Sequence, residues 1–373
     1  MSALYAARLE KLYGLFGFDR AAVDVIALIG ATNLAYLTGV PFEPSSRPLF
    51  AFFRPGKTPA VVIPALEFPK LEHNAPYAME FFTWTDAEGV DVGMERAMRE
   101  LRLFGNKIGV EGMKMRYAEG QLLQRHAHPV EIRNIEGWLA KLRVHKDAAE
   151  IDAMRRAIRA SEAALAEIIA QVRPGMTEVQ IARRLEMAQA DHGGQGNAFE
   201  TTVLSGAKSA LPHGNTAAEP VREGEFLLFD FGTKVDGYCS DITRTFVVGT
   251  PRDELVRIYE AVLGANEAGR KAARPGVPAQ EVDRAARKVI EDAGFGQYFI
   301  HRTGHGLGMD VHEEPYIREG NEILLEAGHV HTIEPGVYIP GVGGVRIEDD
   351  MWITEDGAES LTNFPRELQR IGG

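Results

Sequence analysis

Hydrophobic and polar positions alternate along the first third of the chain in the short runs that are typical of strands and amphipathic helices. Apolar runs predict strands, and stretches with helical spacing predict helices between them. Predicted strands lie at 23–29, 48–53, 60–63 and 107–110, and predicted helices at 1–19, 90–103 and 116–126. Because strands and helices alternate, we expect a small α/β layer domain at residues 1–136.

From residue 137 onward the pattern changes to long helices followed by strand pairs. A helical pattern runs from Trp138 to about residue 171 and predicts one long helix, which Arg173-Pro174-Gly175 ends. Further helices are predicted at 177–191, 252–271 and 278–292, and strands at 200–204, 226–232, 238–248, 330–339 and 344–353. Hairpins with helices on one side favour an α+β fold for residues 137–373.

Composition limits the classes of function. The net charge is −12 and basic runs are absent, so we expect no nucleic-acid partner. No apolar run approaches the roughly 20 residues that a bilayer-spanning helix needs, so we expect no membrane partner. The first residues have the character of a helix and not of a signal peptide. The single cysteine, Cys239, suits a reducing compartment, and we expect a soluble cytoplasmic protein.

Four carboxylates and one histidine stand beside strand-like apolar runs in the last third of the chain. They are Asp230, Asp241, His305, Glu334 and Glu348. Partial burial of a carboxylate costs several kcal/mol unless a cation compensates the charge. Two divalent cations would balance the four carboxylates, which would otherwise raise one another's pKa. The set therefore predicts a centre with two metal ions.

The carboxylates form two pairs, each at the ends of a predicted hairpin. A turn between positions 235 and 236 would place Asp230 directly opposite Asp241, and a turn centred on Gly341 would do the same for Glu334 and Glu348. Opposed side chains share one face of a sheet and lie roughly 4.5–5.5 Å apart at Cβ. Each hairpin is thus expected to present both of its carboxylates to the metals.

The donor set narrows the choice of ion and of reaction. Four carboxylates with a single imidazole suit Mn(II), the favoured ion, and also Co(II) or Fe(II), with Zn(II) as a further alternative. Two ions about 3.5–4 Å apart would hold a bridging water, lower its pKa and stabilise the oxyanion of a tetrahedral intermediate. The sequence therefore predicts hydrolysis of an amide or ester.

Several short strings around these residues resemble a known family. The strings 240–245, 304–308, 332–336 and 345–349 resemble those of the pita-bread metallopeptidases, and within that group those of the Xaa-Pro peptidases, prolidase and aminopeptidase P. The strings 36–39 and 64–67 are similar to those of the creatinase-type N-terminal domain. The resemblance implies an N-terminal creatinase-type domain at 1–136 and a pita-bread catalytic domain at 137–373.

The resemblance also implies a role for each predicted ligand. Asp230 would bind one metal ion and His305 the other, while Asp241 and Glu348 would bridge both. Glu334 would bind the second ion and move a proton from the attacking hydroxide or water to the departing nitrogen.

Further residues around these ligands match positions near the substrate. His213 matches a histidine near the substrate, and His312 matches one that steadies the scissile carbonyl. Arg346 is expected to point the same way as Glu348, where it would bind a substrate carboxylate or hold a metal ligand in place.

The substrate implied by the resemblance is a dipeptide or short peptide that is cleaved before proline. Some prolidases carry an arginine four residues after the equivalent of His312, where it meets the dipeptide carboxylate, and this chain has Tyr316 there. The positive charge would then come from Arg346, from Arg47 or from a partner subunit, since the resemblance implies a homodimer. The alternatives are aminopeptidase P-like action on longer peptides, hydrolysis of another small amide, and a binding protein that has lost catalysis.

Three other candidate residues have a simpler interpretation. His329 and His331 would lie on the strand face opposite Glu334, so we expect no metal role for them. Cys239 is expected to be a small buried apolar side chain and not a nucleophile.

Overall fold

The fold is described by a computed structural model that covers residues 3–16 and 23–372. The chain divides into two compact units between Arg143 and Val144. The sequence-based boundary after residue 136 falls at the start of the last helix in the first unit. No helix in the described part of the chain has the length and apolar character that crossing a membrane would require.

The first unit is built on a six-stranded mixed sheet, which confirms the predicted α/β layer. Its elements are α1 Ala3–Leu15, β1 Val25–Ile29, α2 Thr32–Thr38, β2 Phe50–Phe53, β3 Ala60–Pro64, α3 Phe68–Asn74, β4 Glu80–Trp84, α4 Val90–Leu101, β5 Lys107–Val110, α5 Tyr117–His126, β6 Glu131–Asn134 and α6 Glu136–Arg143. The strand order is β4-β3-β2-β1-β5-β6. Strands β1 to β3 are buried throughout, as expected for continuous apolar runs covered on both faces. The predicted first helix is α1, and parts of that prediction lie outside the described residues.

The second unit contains two larger sheets and two long helix pairs. Its elements are α7 Ala148–Ile169, α8 Glu178–Asp191, β7 Thr202–Ser205, β8 Phe226–Phe231, β9 Lys234–Val235, β10 Tyr238–Cys239, β11 Ile242–Val248, α9 Asp253–Ala272, α10 Ala279–Asp292, β12 Gly304–Gly306, β13 Glu313–Ile317, β14 Val330–Ile333, β15 Gly336–Ile339, β16 Gly343–Arg346, β17 Asp349–Ile353, β18 Ala358–Ser360 and β19 Arg370–Ile371. One sheet has the order β19-β11-β8-β7 and the other β13-β12-β14-β17-β18. Residues of α7 and α8 share a core with β8 and β11, and residues of α9 and α10 share one with β15 and β16.

The predicted continuous helix from Trp138 to residue 171 was wrong. Helix α6 ends at Arg143, and α7 begins at Ala148. Asp147 caps α7, because its carboxylate accepts the backbone N–H groups of Ala149 and Glu150, while the Glu150 carboxylate accepts the N–H of Asp147. This capping box requires an extended backbone at Asp147, so the helix cannot run through it.

The register of the first hairpin also differs from the prediction. Asp230 pairs with Thr243 and not with Asp241. The turn is centred on Asp236 and Gly237, whose φ angles of 50° and 82° are both positive. Such a pair defines a two-residue hairpin turn of type I′, which Asp-Gly sequences favour. The preference of Asp-Gly for this turn therefore places the centre of the hairpin one residue beyond the predicted position.

The second hairpin has the predicted centre at Gly341. Gly336 pairs with Arg346 near the turn, and Ile333 pairs with Asp349 farther along, so both ladders share one register. Residues 334–335 and 347–348 interrupt the ladder between them. Glu334 and Glu348 thus occupy matching positions of this register within the interruption, which confirms the predicted centre of the hairpin.

Candidate metal centre

The second unit contains a cavity of about 610 Å³ at which the predicted site residues meet. All five predicted metal ligands line it, together with three of the predicted substrate-site residues. The predicted residues in the lining are Asp230, Asp241, His305, Glu334, Glu348, His213, His312 and Arg346. Tyr316 is not part of this lining, and neither are His329 and His331.

Strand ends and ladder interruptions position the carboxylates. Asp230 lies near the end of β8, and Asp241 directly precedes β11. At the interrupted ladder, the Glu334 N–H donates to the Thr303 carbonyl at 2.7 Å, and the Glu348 N–H donates to the Thr243 carbonyl at 3.1 Å. These bonds join the second hairpin to β11 and to the segment before β12, so carboxylates from both sheets reach one cavity.

His305 lies on β12 between the carboxylates. Its Nε2 atom is 3.3 Å from Glu334 Oε1 and 3.7 Å from Asp241 Oδ2. Its Nδ1 atom lies 3.1 Å from the Gly306 carbonyl oxygen and donates to it, which leaves the Nε2 lone pair free to bind a metal. Burial lowers the pKa of His305 well below its ordinary value, so the imidazole is neutral. Donor atoms of Asp241, His305 and Glu348 all lie within 4.8 Å of one another, and all three residues are buried.

The carboxylates are electrostatically unfavourable without cations. Burial, followed by the charges of Glu348 and Asp230, raises the pKa of Asp241 well above its usual value. Burial and the neighbouring Glu334 raise the pKa of Glu348 in the same direction. Burial raises the pKa of Glu334 to about 7, against the opposing charge of Arg346. Oxygen donors with one imidazole, crowded in this way, fit divalent metal ions.

A layer of hydrogen bonds holds the ligands from behind. The Thr243 hydroxyl donates to Glu348 Oε2 at 2.5 Å and accepts from Arg346 Nε at 3.0 Å. Arg346 also donates from Nη2 to Asp230 Oδ2 and from Nη1 to the Tyr338 hydroxyl at 2.8 Å. These contacts favour the second of its two predicted roles, which is to hold a metal ligand in place.

A buried ion pair supports the Glu348 backbone. Arg244 donates from Nη1 to the Glu348 carbonyl at 2.5 Å and from Nη2 to Asp349 Oδ1 at 2.8 Å. This role of Arg244 and Asp349 was not predicted from the sequence, although both residues lie in the strings 240–245 and 345–349. A charged residue inside an apolar strand was the available signal, since burial of such a residue requires a partner.

Two cavity residues before β12 were also missed. His301 Nε2 lies 2.9 Å from the Tyr338 hydroxyl, and burial lowers the pKa of His301 to about 4. Arg302 lines the cavity, and its guanidinium carbon lies 4.6 Å from the ring centroid of Tyr316. The spacing of His301 four residues before His305 was the only sequence signal for this segment.

His312 and Cys239 have different environments, and of these two residues only His312 lines the cavity. The His312 ring lies 4.2 Å from that of His305 in an edge-on arrangement, and burial followed by the charge of Arg302 lowers the pKa of His312. Cys239 is buried, and burial raises the pKa of its thiol to about 12, so it is the expected apolar side chain and not a nucleophile.

A second group of metal-type side chains lies outside this cavity. His145 Nε2 is 2.9 Å from Glu326 Oε2, and His329 joins them with a donor atom within 4.8 Å. His329 Nδ1 accepts the backbone N–H of Glu326 at 3.2 Å. Because these groups bond to one another, their arrangement is explained without a metal ion.

Two protein-family models match the chain, one for each of its two units. The family model of the creatinase/prolidase N-terminal domain matches residues 8–145, and that of metallopeptidase family M24 matches residues 152–355. The chain is 34% identical over 363 residues to the Xaa-Pro dipeptidase of Pyrococcus furiosus, covering 97% of this chain and 99% of that relative.

Solved structures are similar over the same length. The prolidase from Thermococcus sibiricus has a TM-score of 0.94 at 34% identity, with all of both chains covered. The dipeptidase from Pyrococcus horikoshii OT3 has a TM-score of 0.91 at 36% identity, covering 98% of this chain and 100% of that one. With most of its second unit matched by the family model, this chain belongs to metallopeptidase family M24.

Proposed function

We propose that this protein is a two-metal Xaa-Pro dipeptidase, which hydrolyses the peptide bond before proline in dipeptides. The observation that carries the proposal is the convergence of five metal-type ligands on one cavity that also contains His213 and His312. Full-length similarity to proteins named Xaa-Pro dipeptidase and prolidase supports the choice of substrate.

Family M24 implies divalent metal ions, and the donors in this cavity fit them. Asp230, Asp241, His305, Glu334 and Glu348 would hold two ions. Bound ions would lower the pKa of water and stabilise negative charge on the substrate. The oxygen-rich, thiol-free donor set supports Mn(II) as the ion.

The side chains around the ligands would carry the proton transfers. We assign the proton shuttle to Glu334, which takes a proton from the attacking water and delivers it to the proline nitrogen, which becomes basic when the carbonyl carbon turns tetrahedral and leaves as the protonated amine. His312 is neutral at pH 7 because its pKa is lowered, so its N–H can donate to the scissile carbonyl oxygen. His213 completes the substrate side of the cavity.

Selectivity for proline has a simple physical basis. The nitrogen of an Xaa-Pro bond carries no N–H, so an enzyme that relies on that donor loses a contact. Phe199, Pro212 and Val311 line the cavity and offer the proline ring an apolar surface. Burial of the ring would then favour proline over residues that present a polar backbone group.

We also propose that the enzyme is a cytoplasmic homodimer. A single buried cysteine supports a reducing compartment. Met113 and Tyr117 of the first unit are 81% and 82% exposed, and large exposed side chains of this kind favour an interface. Sedimentation that finds only monomer at micromolar concentration would contradict the dimer.

The function is tested by metal-dependent hydrolysis. Chelated protein is reloaded with Mn(II), Co(II) or Zn(II) and assayed on Ala-Pro, Ala-Pro-Pro and Ala-Gly. We expect Ala-Pro to be the best substrate, with loss of activity in Asp241→Asn but not in Asp236→Asn, which changes an exposed turn residue outside the cavity. No hydrolysis of either proline peptide with any of the three ions would refute the function.

A second candidate function is favoured by one observation. Tyr316 stands where some prolidases have an arginine for the dipeptide carboxylate, so an aminopeptidase P-like preference for longer peptides is the competing assignment. Faster hydrolysis of Ala-Pro-Pro than of Ala-Pro would select it.

A further inference from the structure

A dipeptide substrate brings a free carboxylate into the cavity, and that carboxylate needs a cationic partner. Two arginines line the cavity, Arg302 and Arg346, and no lysine does so among the described residues. Binding of the carboxylate requires a guanidinium whose N–H donors are not already used by the protein.

Arg346 has only two of its five N–H groups left, and both lie on nitrogen atoms that already bond to the protein. Its Nε, Nη1 and Nη2 atoms already donate to Thr243, Tyr338 and Asp230, and the residue is only 4% exposed. A substrate carboxylate at Nη2 would compete with the bond to Asp230, a predicted metal ligand. Arg346 is therefore a structural partner of the ligands.

Arg302 has the opposite character. Its side chain is half-buried at the cavity, and its guanidinium has no carboxylate or carbonyl partner among the described residues. Its charge is felt at His312, whose pKa it lowers after the larger effect of burial. An arginine presents five N–H donors in a planar fork that matches a carboxylate.

Tyr316 packs against the guanidinium of Arg302. The guanidinium carbon of Arg302 lies 4.6 Å from the Tyr316 ring centroid, which is cation–π geometry. A cation–π contact uses the charge of the guanidinium and does not require an oxygen acceptor for its N–H groups, so these remain available for bidentate binding. The tyrosine thus holds the fork in place without consuming its donors.

On the basis of the proposed dipeptidase function, we propose that Arg302, oriented by Tyr316, binds the C-terminal carboxylate of the substrate and selects dipeptides over longer peptides. In a longer peptide a neutral amide replaces that carboxylate. The charge-assisted bonds are then lost, and the guanidinium stays unpaired.

The test compares Ala-Pro with Ala-Pro amide, which lacks the negative charge. Arg302→Met should lower kcat/KM for Ala-Pro by about 10- to 150-fold, the range for charged hydrogen bonds. Turnover of the amide should change less than about 2-fold, which also shows that the variant is folded. The kcat/KM of Arg302→Lys for Ala-Pro should lie between those of the unchanged protein and Arg302→Met. Arg318 is an exposed arginine outside the cavity, so Arg318→Met should have the same kcat/KM as the unchanged protein.

A binding measurement separates this proposal from the proposed function. Calorimetry on metal-loaded protein should show tighter binding of L-proline than of L-prolinamide, and Arg302→Met should abolish the difference. An unchanged protein without this difference, or an Arg302→Met variant that keeps it, would overturn the role of Arg302. Absence of Ala-Pro hydrolysis in the unchanged protein would instead overturn the dipeptidase function, and proline binding would still decide the role of Arg302.

Discussion

Thr243→Val removes one hydroxyl that connects a metal ligand to its supporting arginine. Thr243 is fully buried, and its hydroxyl bonds to Glu348 Oε2 at 2.5 Å and to Arg346 Nε at 3.0 Å. Valine has the same shape, so the change deletes two hydrogen bonds without opening a cavity. Loss of such a supporting contact typically lowers metal affinity about 10- to 100-fold. The N–H of Arg346 is left without a partner, which should lower the unfolding free energy of metal-free protein by about 1.5–3 kcal/mol.

Thr245→Val is the matched control for this change. Thr245 lies on the same strand and is 1% exposed, but among residues 3–16 and 23–372 its hydroxyl bonds only to the backbone of Arg346. We expect unchanged Mn(II) affinity by calorimetric titration of chelated protein, and a loss of about 1 kcal/mol in the urea unfolding free energy. Equal Mn(II) affinity in both variants would show that the Thr243 hydroxyl does not orient Glu348.

Three further changes test other parts of the structure. Asp147→Ala removes the cap of α7 and should lower the urea unfolding free energy by about 0.5–2 kcal/mol with turnover unchanged, and a smaller loss would refute the cap. The folded-state pKa of Glu334, about 7, exceeds its ordinary value of 4.5. Folded metal-free protein therefore holds a proton on Glu334 that the unfolded chain releases between these values, so its Tm relative to that of Glu334→Gln should fall as pH rises through this range. A Tm difference between the two proteins that rises instead would contradict the burial of Glu334. Tyr316→Leu should lower kcat/KM for Ala-Pro about 2- to 5-fold by loss of the cation–π contact and leave Ala-Pro amide unaffected, whereas Tyr316→Phe should retain both activities.

Apolar patterning predicted the central strands because they are buried on both faces. The runs at 60–63 and 226–232 correspond to β3 and β8, whose positions are almost all buried. The carboxylate pair Glu334 and Glu348 was also predictable, since one symmetric turn at Gly341 sets the register on both sides of the interruption.

Other features depend on contacts that the local pattern does not contain. Strand β12 consists of Gly304-His305-Gly306, which has no apolar period. Its two glycines allow the backbone of neighbouring segments to approach to a distance at which a Cβ would clash. Edge strand β6 has no fully buried residue, so its period is weak. Arg302 looked like any loop arginine, because its role depends on a cavity wall formed by distant segments.

The central claim is that two metal ions occupy the cavity between the two hairpins. The most direct measurement is anomalous diffraction at the manganese edge from crystals of the Mn(II)-loaded protein. We expect two peaks in the cavity, within bonding distance of the predicted ligands Asp230, Asp241, His305, Glu334 and Glu348. Absence of peaks there, or a peak only at the group formed by His145, Glu326 and His329, would contradict the claim.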